Sequence, residues 1–420
     1  MSMFKIPVAV AKAIGKLQKQ FFWGDTLEKR KVHLLKWEKV TKKKEFGGLG
    51  VRRVIQQNLA LLARWWWRFN EDKDSLWVKV IRGKYNLDNG VWLPSLPRSG
   101  CISNLWRDIC SLGDPSSSIG PVLSEGFRIQ VHSGQDTSFW NHIWLGDRTL
   151  KEAFPRLFLI SNQKEDTVRS VKDGSGNAQW KLQFRTRRMN VWETNLSEGL
   201  HQRLDLVTLD QAKRDVLQWK WTADKRLSSK SVYQQWEQIG QSRNQLLGSL
   251  WKNLCPPKVE IFSWMAIQDR VPTRSVLVSR NIIQEGQSVS CPLCSLQLET
   301  PDHLFLHCFF SWNVWSLILD WWHVSWVCPN SLSDLALWWF DNGFRNLEKN
   351  IWEASFYATL WSMWLARNDL VFNNATLNVE VVGELVKTRV AMWMKTKFGI
   401  KVYSVEEFKL FLDGIRKLKL

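Results

Sequence analysis

Cys291-Pro292-Leu293-Cys294, then eight residues, then His303-Leu304-Phe305-Leu306-His307-Cys308 is the densest cluster of metal-ligating side chains in the sequence. Two cysteines three positions apart form a knuckle that can turn both thiolates toward one tetrahedral ion, and a His/Cys group about a dozen residues on can complete the coordination sphere. Four protein ligands leave no open position for water, so such a zinc is structural and not hydrolytic. Its binding contributes directly to the folding of the surrounding module. The competing reading is a buried Cys-x-x-Cys beside two surface histidines. Two ligand pairs at workable spacing favour the metal. Spacing alone leaves the fourth ligand open. Thr300 can N-cap a helix that has Pro301 at its first position. On a regular helix His303 and His307 share a face, whereas His303 and Cys308 lie about 140° apart. Local geometry thus favours His307 and thiolate affinity favours Cys308.

Outward from this cluster, composition narrows the classes. The chain has 420 residues, 58 basic against 40 acidic, for a net charge of +18. That excess points first to a polyanionic partner. A hydrophobic share of 45% with 23% charged residues is globular and excludes wholesale disorder. Tryptophan is abundant, at 28 residues, so many large rings must be buried in cores or interfaces. Seven cysteines, an odd number and sparse for this length, do not make a secreted disulfide framework. Lys5, Lys12 and Lys16 interrupt every apolar run near the start, so no secretory signal is expected. The same stretch has no arginine and one serine, which argues against a transit peptide. The best membrane candidate, 309–328, contains Asn313, Asp320 and His323. Asp320 alone would cost about 2.5–3.5 kcal/mol near a bilayer centre. A soluble intracellular protein, nuclear or cytoplasmic and without membrane contact, is expected.

The expected fold class is α+β, predominantly helical. Residues 1–95 form a basic helical segment, with helices over Val8–Phe22 and Ile55–Phe69. Residues 1–60 hold 14 Lys/Arg against 4 Asp/Glu, a net of +10. Residues 96–125 are a Pro/Ser/Gly connector. Residues 126–204 are a small β-rich middle, where 127–131 alternates and Asp173-Gly174-Ser175-Gly176-Asn177 reads as a hairpin turn. Residues 205–330 form the helical zinc module, and 331–420 a Trp-rich helical segment with a basic end at Arg416, Lys417 and Lys419. Trp65-Trp66-Trp67 on an apolar helix reads as core packing with one ring exposed.

Residues 227–316 resemble the zinc-binding domain that follows reverse transcriptase in plant LINE-type (non-LTR) retrotransposons. The resemblance rests on Pro257-Lys258-Val259-Glu260-Ile261-Phe262-Ser263-Trp264, Arg270-Val271-Pro272-Thr273, the cysteine knuckle, Glu299-Thr300, His303-Leu304-Phe305, Cys308 and Trp315. That family's pattern places the ligands at Cys291, Cys294, His303 and Cys308, and is variable at the position of His307. The resemblance therefore implies one structural zinc ion held through Cys308, on a helix distorted there. It extends to the start of the chain through Phe21-Phe22-Trp23-Gly24, Gly47-Gly48-Leu49-Gly50 and Leu76-Trp77, which resemble a thumb-like segment after the polymerase palm. Trp361, Trp364, Arg367-Asn368 and Phe372 resemble the segment after the zinc module. Ser138-Phe139-Trp140-Asn141-His142-Ile143-Trp144 resembles a Phe-Trp-x-Asp-x-Trp signature with His142 at the usual aspartate, so any role of that aspartate is expected to be lost.

A reverse transcriptase needs paired aspartates for two divalent metals, usually in Tyr-x-Asp-Asp. None of the four tyrosines, Tyr85, Tyr233, Tyr357 and Tyr403, begins such a motif. The expectation is a non-catalytic zinc-binding remnant, a detached portion of the ancestral polyprotein, with no small-molecule substrate. It would bind RNA or DNA without base specificity, through Lys42, Lys43, Lys44, Arg52 and Arg53 on phosphates. The alternative is a structural or interaction protein, or a non-functional relic, in which zinc only stabilises the fold. Asp173-Gly174-Ser175 invites a ribonuclease H reading, but without a convincing partner set of acids the turn is preferred.

Overall fold

Apolar residues at helical spacing account for most of the architecture. In the helix Val54–Glu71, Leu59, Leu62, Ala63, Trp66 and Phe69 fall on one face and are buried. The computed structural model describes residues 3–26, 28, 31–87, 91–97, 101–172, 179–185, 189–284 and 287–416. Helix predominates among them, and no described helix is long and apolar enough to cross a membrane. The chain divides into two units. One comprises Met1–Phe22 with Arg52–Gln241, the other Trp23–Val51 with Ser242–Leu420. The first 95 residues thus contribute to both.

The first unit has two aromatic cores. Trp66 and Trp67 join Phe69, Trp106, Phe127 and Trp219 in one of them, and the Trp66 Nε1 donates to the Ile109 carbonyl at 2.7 Å. Trp65 is half-buried, edge-on to Trp77, so the aromatic run packs into the core and none of its three rings is exposed as the sequence suggests for one of them. In the stretch 96–125, where proline, serine and glycine suggest a connector, the helix Asn104–Cys110 buries Trp106 and Ile109, and the helix Gly120–Gly126 at its end buries Leu123.

Strand content in the middle is lower than the alternation suggests. Phe127–Gln130 is a strand, and it pairs antiparallel with Val216–Trp219, 86 to 92 residues away in sequence. Elsewhere up to residue 204 only isolated bridges occur among the described residues, such as Ser138↔Thr167 and Ser161↔Phe184, while short helices carry the packing. The reason is length. Thr149 caps Leu150–Ala153, Pro155 opens Pro155–Ile160, and Asn190 caps Val191–Leu204, so the chain turns before a ladder can extend. The Asp173–Asn177 turn lies outside the described residues, although the bridge Lys172↔Trp180 flanks it.

The Ser138–Trp144 motif is the knot of the second core. Phe139 and Trp140 are fully buried, and Trp144 stacks on Trp180 and donates its Nε1 to the Phe139 carbonyl at 2.9 Å. His142 closes the turn, its Nδ1 accepting the Ser138 backbone N–H at 2.8 Å. A carboxylate at this position could accept the same bond, so the imidazole does an aspartate's work at this one contact.

In the second unit the long helix Asn346–Asn373 is buried along most of its length. Trp339 and Trp352 stack with centroids 4.1 Å apart, and each donates its indole N–H to the other's carbonyl at 2.8 Å. This reciprocal pair satisfies both indole N–H groups, whereas Trp77, Trp106, Trp140, Trp221 and Trp251 bury theirs without a hydrogen-bond partner among the described residues.

Burial lowers the proton affinity of His142, and protonation would convert its Nδ1 from acceptor to donor. The unfolded chain then binds the proton more readily, so stability is complete above about pH 6.5 and falls as pH drops toward the depressed folded value. His142→Asn, which keeps an acceptor without the titration, is expected to reduce the loss of stability between pH 7.5 and 5.5, as read by urea unfolding.

Candidate metal centre

The knuckle is formed by backbone before any metal is considered. Ser290 and Leu298 form an antiparallel bridge, the Cys291 N–H donates to the Gln297 carbonyl at 2.6 Å, and the Ser295 N–H to the Cys291 carbonyl at 2.7 Å. Ser295 takes the left-handed conformation, φ +58°, that lets the chain double back after Cys294.

Across from it, Thr300 Oγ1 accepts the His303 N–H at 3.0 Å and Pro301 opens the helix. The helix then widens. Residues His303–His307 form a π turn, with the Cys308 N–H bonded to the His303 carbonyl at 2.7 Å. A π turn brings residues five apart onto nearly the same face, as residues four apart lie on an α-helix. Cys308 itself is extended, φ −65° and ψ 136°, and leads into the helix Phe309–Trp321. The break frees carbonyls, and two find side-chain donors: Ser311 Oγ on Leu304 at 2.5 Å and Trp315 Nε1 on Phe305 at 2.8 Å.

The outcome is a tetrad. One ligand atom from each of Cys291, Cys294, His303 and Cys308 lies within 4.8 Å of all the others. Cys291 and Cys308 sulfurs are 4.0 Å apart, and Cys294 Sγ is 3.3 Å from His303 Nε2. Zinc bond lengths in a tetrahedron require about 3.8 Å between sulfurs and about 3.6 Å between sulfur and nitrogen. The donor set and its spacing fit one zinc ion, with no protein position left over for water. His307 stands outside it, with Nε2 at 3.1 Å from the Asn330 carbonyl and Nδ1 at 3.8 Å from Cys328 Sγ.

The electrostatics suit a cation. The Cys291 thiol donates to Cys308, which draws Cys308 toward its thiolate and, together with burial, pushes the Cys291 thiol up. Burial, and then the neighbouring His307, lowers the proton affinity of His303, which favours the neutral imidazole that a metal needs.

A buried ion pair fixes the cluster to the rest of its unit. Arg367, on the long helix, grips Glu299 with two bonds, Nε to Oε1 at 2.7 Å and Nη2 to Oε2 at 2.9 Å, and both side chains are buried. Glu299 Oε2 also accepts the Arg274 backbone N–H at 2.8 Å, and Arg274 Nη1 reaches the Ser290 carbonyl at 2.6 Å. Sequence spacing gave no signal of this clamp, whose partners lie 68 residues apart.

The five cations expected to meet phosphate fall in two places. Lys42, Lys43 and Lys44 belong to the second unit, and Arg52 and Arg53 to the first. Lys44 lies over the Trp251 ring at 4.7 Å, and Lys43 is 3.7 Å from Glu45. Their turn depends on Gly47 and Gly48: Gly47 has φ +83°, and a Cβ on Gly48 would sit 2.1 Å from the Lys42 carbonyl. Arg52 is exposed, its Nη1 3.2 Å from Gln57 Oε1, while the Arg53 backbone N–H donates to Tyr233 at 3.1 Å.

Arg367→Met would leave Glu299 buried and uncompensated. It is expected to cost about 3–5 kcal/mol in urea unfolding, whereas exposed Arg52→Met is expected to change stability by no more than about 0.5 kcal/mol.

Comparison with known proteins bears on the same residues. Residues 227–315 match the family described as zinc-binding in reverse transcriptase. Over 414 residues, 96% of its length, the chain is 27% identical to a putative ribonuclease H protein of Arabidopsis thaliana, and spans 61% of that relative. Over 150 residues, 36% of its length, it is 28% identical to an uncharacterized mitochondrial protein of Arabidopsis thaliana, covering 92% of that relative. The whole tetrad and Glu299 lie inside the matched span, so residues 227–315 are similar to the zinc-binding domain of reverse transcriptases.

Proposed function

We propose that this protein is a non-catalytic, zinc-stabilised nucleic-acid-binding protein, with Cys291, Cys294, His303 and Cys308 as the ligands of one structural zinc ion. The observation that carries this reading is the closed Cys3His tetrad: its four protein donors complete a tetrahedron, which is the arrangement of a structural and not a hydrolytic zinc. The ion's contribution is to folding, by holding the knuckle, the π turn and the helix after Cys308 in one arrangement.

The partner is an RNA or DNA backbone. A net charge of +18 and the basic first 60 residues favour a polyanion, and the reverse-transcriptase and ribonuclease H names among its relatives fit nucleic-acid association. Lys42, Lys43, Lys44, Arg52 and Arg53 are the proposed phosphate contacts, and the proposed location is nuclear or cytoplasmic. A second reading, a scaffold without nucleic-acid binding, is favoured by the local engagement of Lys43 and Lys44 with Glu45 and Trp251.

Salt separates the two. Affinity for a single-stranded RNA is expected to fall linearly in a log–log plot against salt. The variant Lys42→Ala/Lys43→Ala/Lys44→Ala is expected to shrink that slope by about 2, at about 0.7 per phosphate contact. A flat plot for the parent would leave the scaffold reading.

A further inference from the structure

The helix Val8–Trp23, all but its last residue within the first unit, is packed lightly, with Ala11 its one fully buried residue. The segment before it is pinned. The Ile6 N–H donates to Oδ1 of Asn58, which is buried on the helix Val54–Glu71, and Asn58 Nδ2 donates to the Phe4 carbonyl, each at 2.9 Å. By 3.6-residue geometry the helix then has three sides. Ala11, Gln18 and Phe22 form the packed side, the last two half-buried. Val10, Leu17 and Phe21 form an exposed apolar side. Lys12, Lys16 and Lys19 form a ridge about 10 Å long, about 150° around the helix from those apolar residues. Lys12 and Lys16 are exposed and make no ion pair among the described residues. On other helices cations are matched by acids three or four positions away, as in Lys387 with Glu384, Lys409 with Glu406 and Arg68 with Asp72. Residues 1–24 offer no such match, since they contain four lysines and no Asp or Glu.

A line of cations without acids complements a line of negative charge, and each lysine that meets a phosphate releases counterions. A lipid surface fits less well. One that took up the apolar side would leave the lysines facing away from its headgroups, on the far side of a helix about 10 Å wide. A strand of nucleic acid can run along the lysines alone. We propose that the helix Val8–Trp23 is a phosphate-binding ridge, on which Lys12, Lys16 and Lys19 meet the backbone of one RNA or DNA strand. The ridge is additional to the contacts proposed above and rests on the same nucleic-acid reading. It also moves the weight of binding, because Lys43 and Lys44 already engage Glu45 and Trp251.

The test is fluorescence anisotropy of a labelled oligouridylate titrated with the full chain over a range of salt concentrations. The parent is compared with Lys12→Gln/Lys16→Gln, Lys12→Arg/Lys16→Arg and Leu17→Gln/Phe21→Gln. Both lysines are exposed, and glutamine and arginine are good helix formers, so these variants keep the helix. In Lys12→Gln/Lys16→Gln the log–log salt slope is expected to shrink by about 1.4, at about 0.7 for each phosphate contact. The arginine variant and Leu17→Gln/Phe21→Gln are expected to keep the parent's slope. A parent-like slope in Lys12→Gln/Lys16→Gln overturns the ridge alone, and so does an equal loss in Leu17→Gln/Phe21→Gln, which would put the effect on the apolar side. Absence of binding by the parent overturns the ridge together with the nucleic-acid reading. Phosphatidylserine vesicles are titrated in parallel. Vesicle binding lost in Lys12→Gln/Lys16→Gln, with binding of the oligouridylate unchanged, assigns the lysines to a lipid surface and overturns the proposal.

Discussion

Three cysteine sulfurs and an imidazole nitrogen within 4.8 Å of one another, mostly buried, are the constraint on which the second unit depends. Without a cation, the second and third thiolates of such a cluster are opposed by burial and by each other, as the divergence between Cys291 and Cys308 illustrates. A divalent ion held by Cys291, Cys294, His303 and Cys308 would reverse that balance, because it favours thiolates and a neutral imidazole as its ligands. The backbone around it is arranged accordingly. Thr300 caps the helix, the π turn redirects Cys308, and Ser311 and Trp315 take up carbonyls that the break releases.

From the tetrad the organisation passes outward through charge and then through aromatic packing. Glu299 lies between the knuckle and His303, and its two-pronged pairing with Arg367 holds the metal module against the long helix. Phe305, inside the π turn, contacts Phe262 and Trp364. Farther along, Trp339 and Trp352 satisfy each other's indole N–H through reciprocal bonds to backbone carbonyls. The abundance of tryptophan in this sequence is thus largely a matter of packing, and nucleic-acid stacking is not needed to explain it.

The ligand types and their spacing were legible in the sequence, as was the predominance of helix, because 3.6-residue periodicity and a cysteine knuckle are local signals. The choice between His307 and Cys308 was not legible from spacing, since that argument assumed a regular helix. One extra residue in the turn removes the angular objection to Cys308. Non-local features were hidden for a different reason. The strand Phe127–Gln130 alternates cleanly, but its partner Val216–Trp219 carries no mark of pairing with it. Glu299 and Arg367 both belong to stretches that carry the resemblance, but nothing in the sequence pairs them across 68 residues. His142, which sequence comparison presents as a loss, closes the same turn with a ring nitrogen.

The most direct measurement is zinc per chain, by elemental analysis of purified protein, in the parent and in Cys308→Ser and His307→Ala. One zinc per chain in the parent, retained in His307→Ala and lost in Cys308→Ser, is the result that the Cys3His arrangement requires. A folded parent without zinc, or loss in His307→Ala with retention in Cys308→Ser, would contradict it.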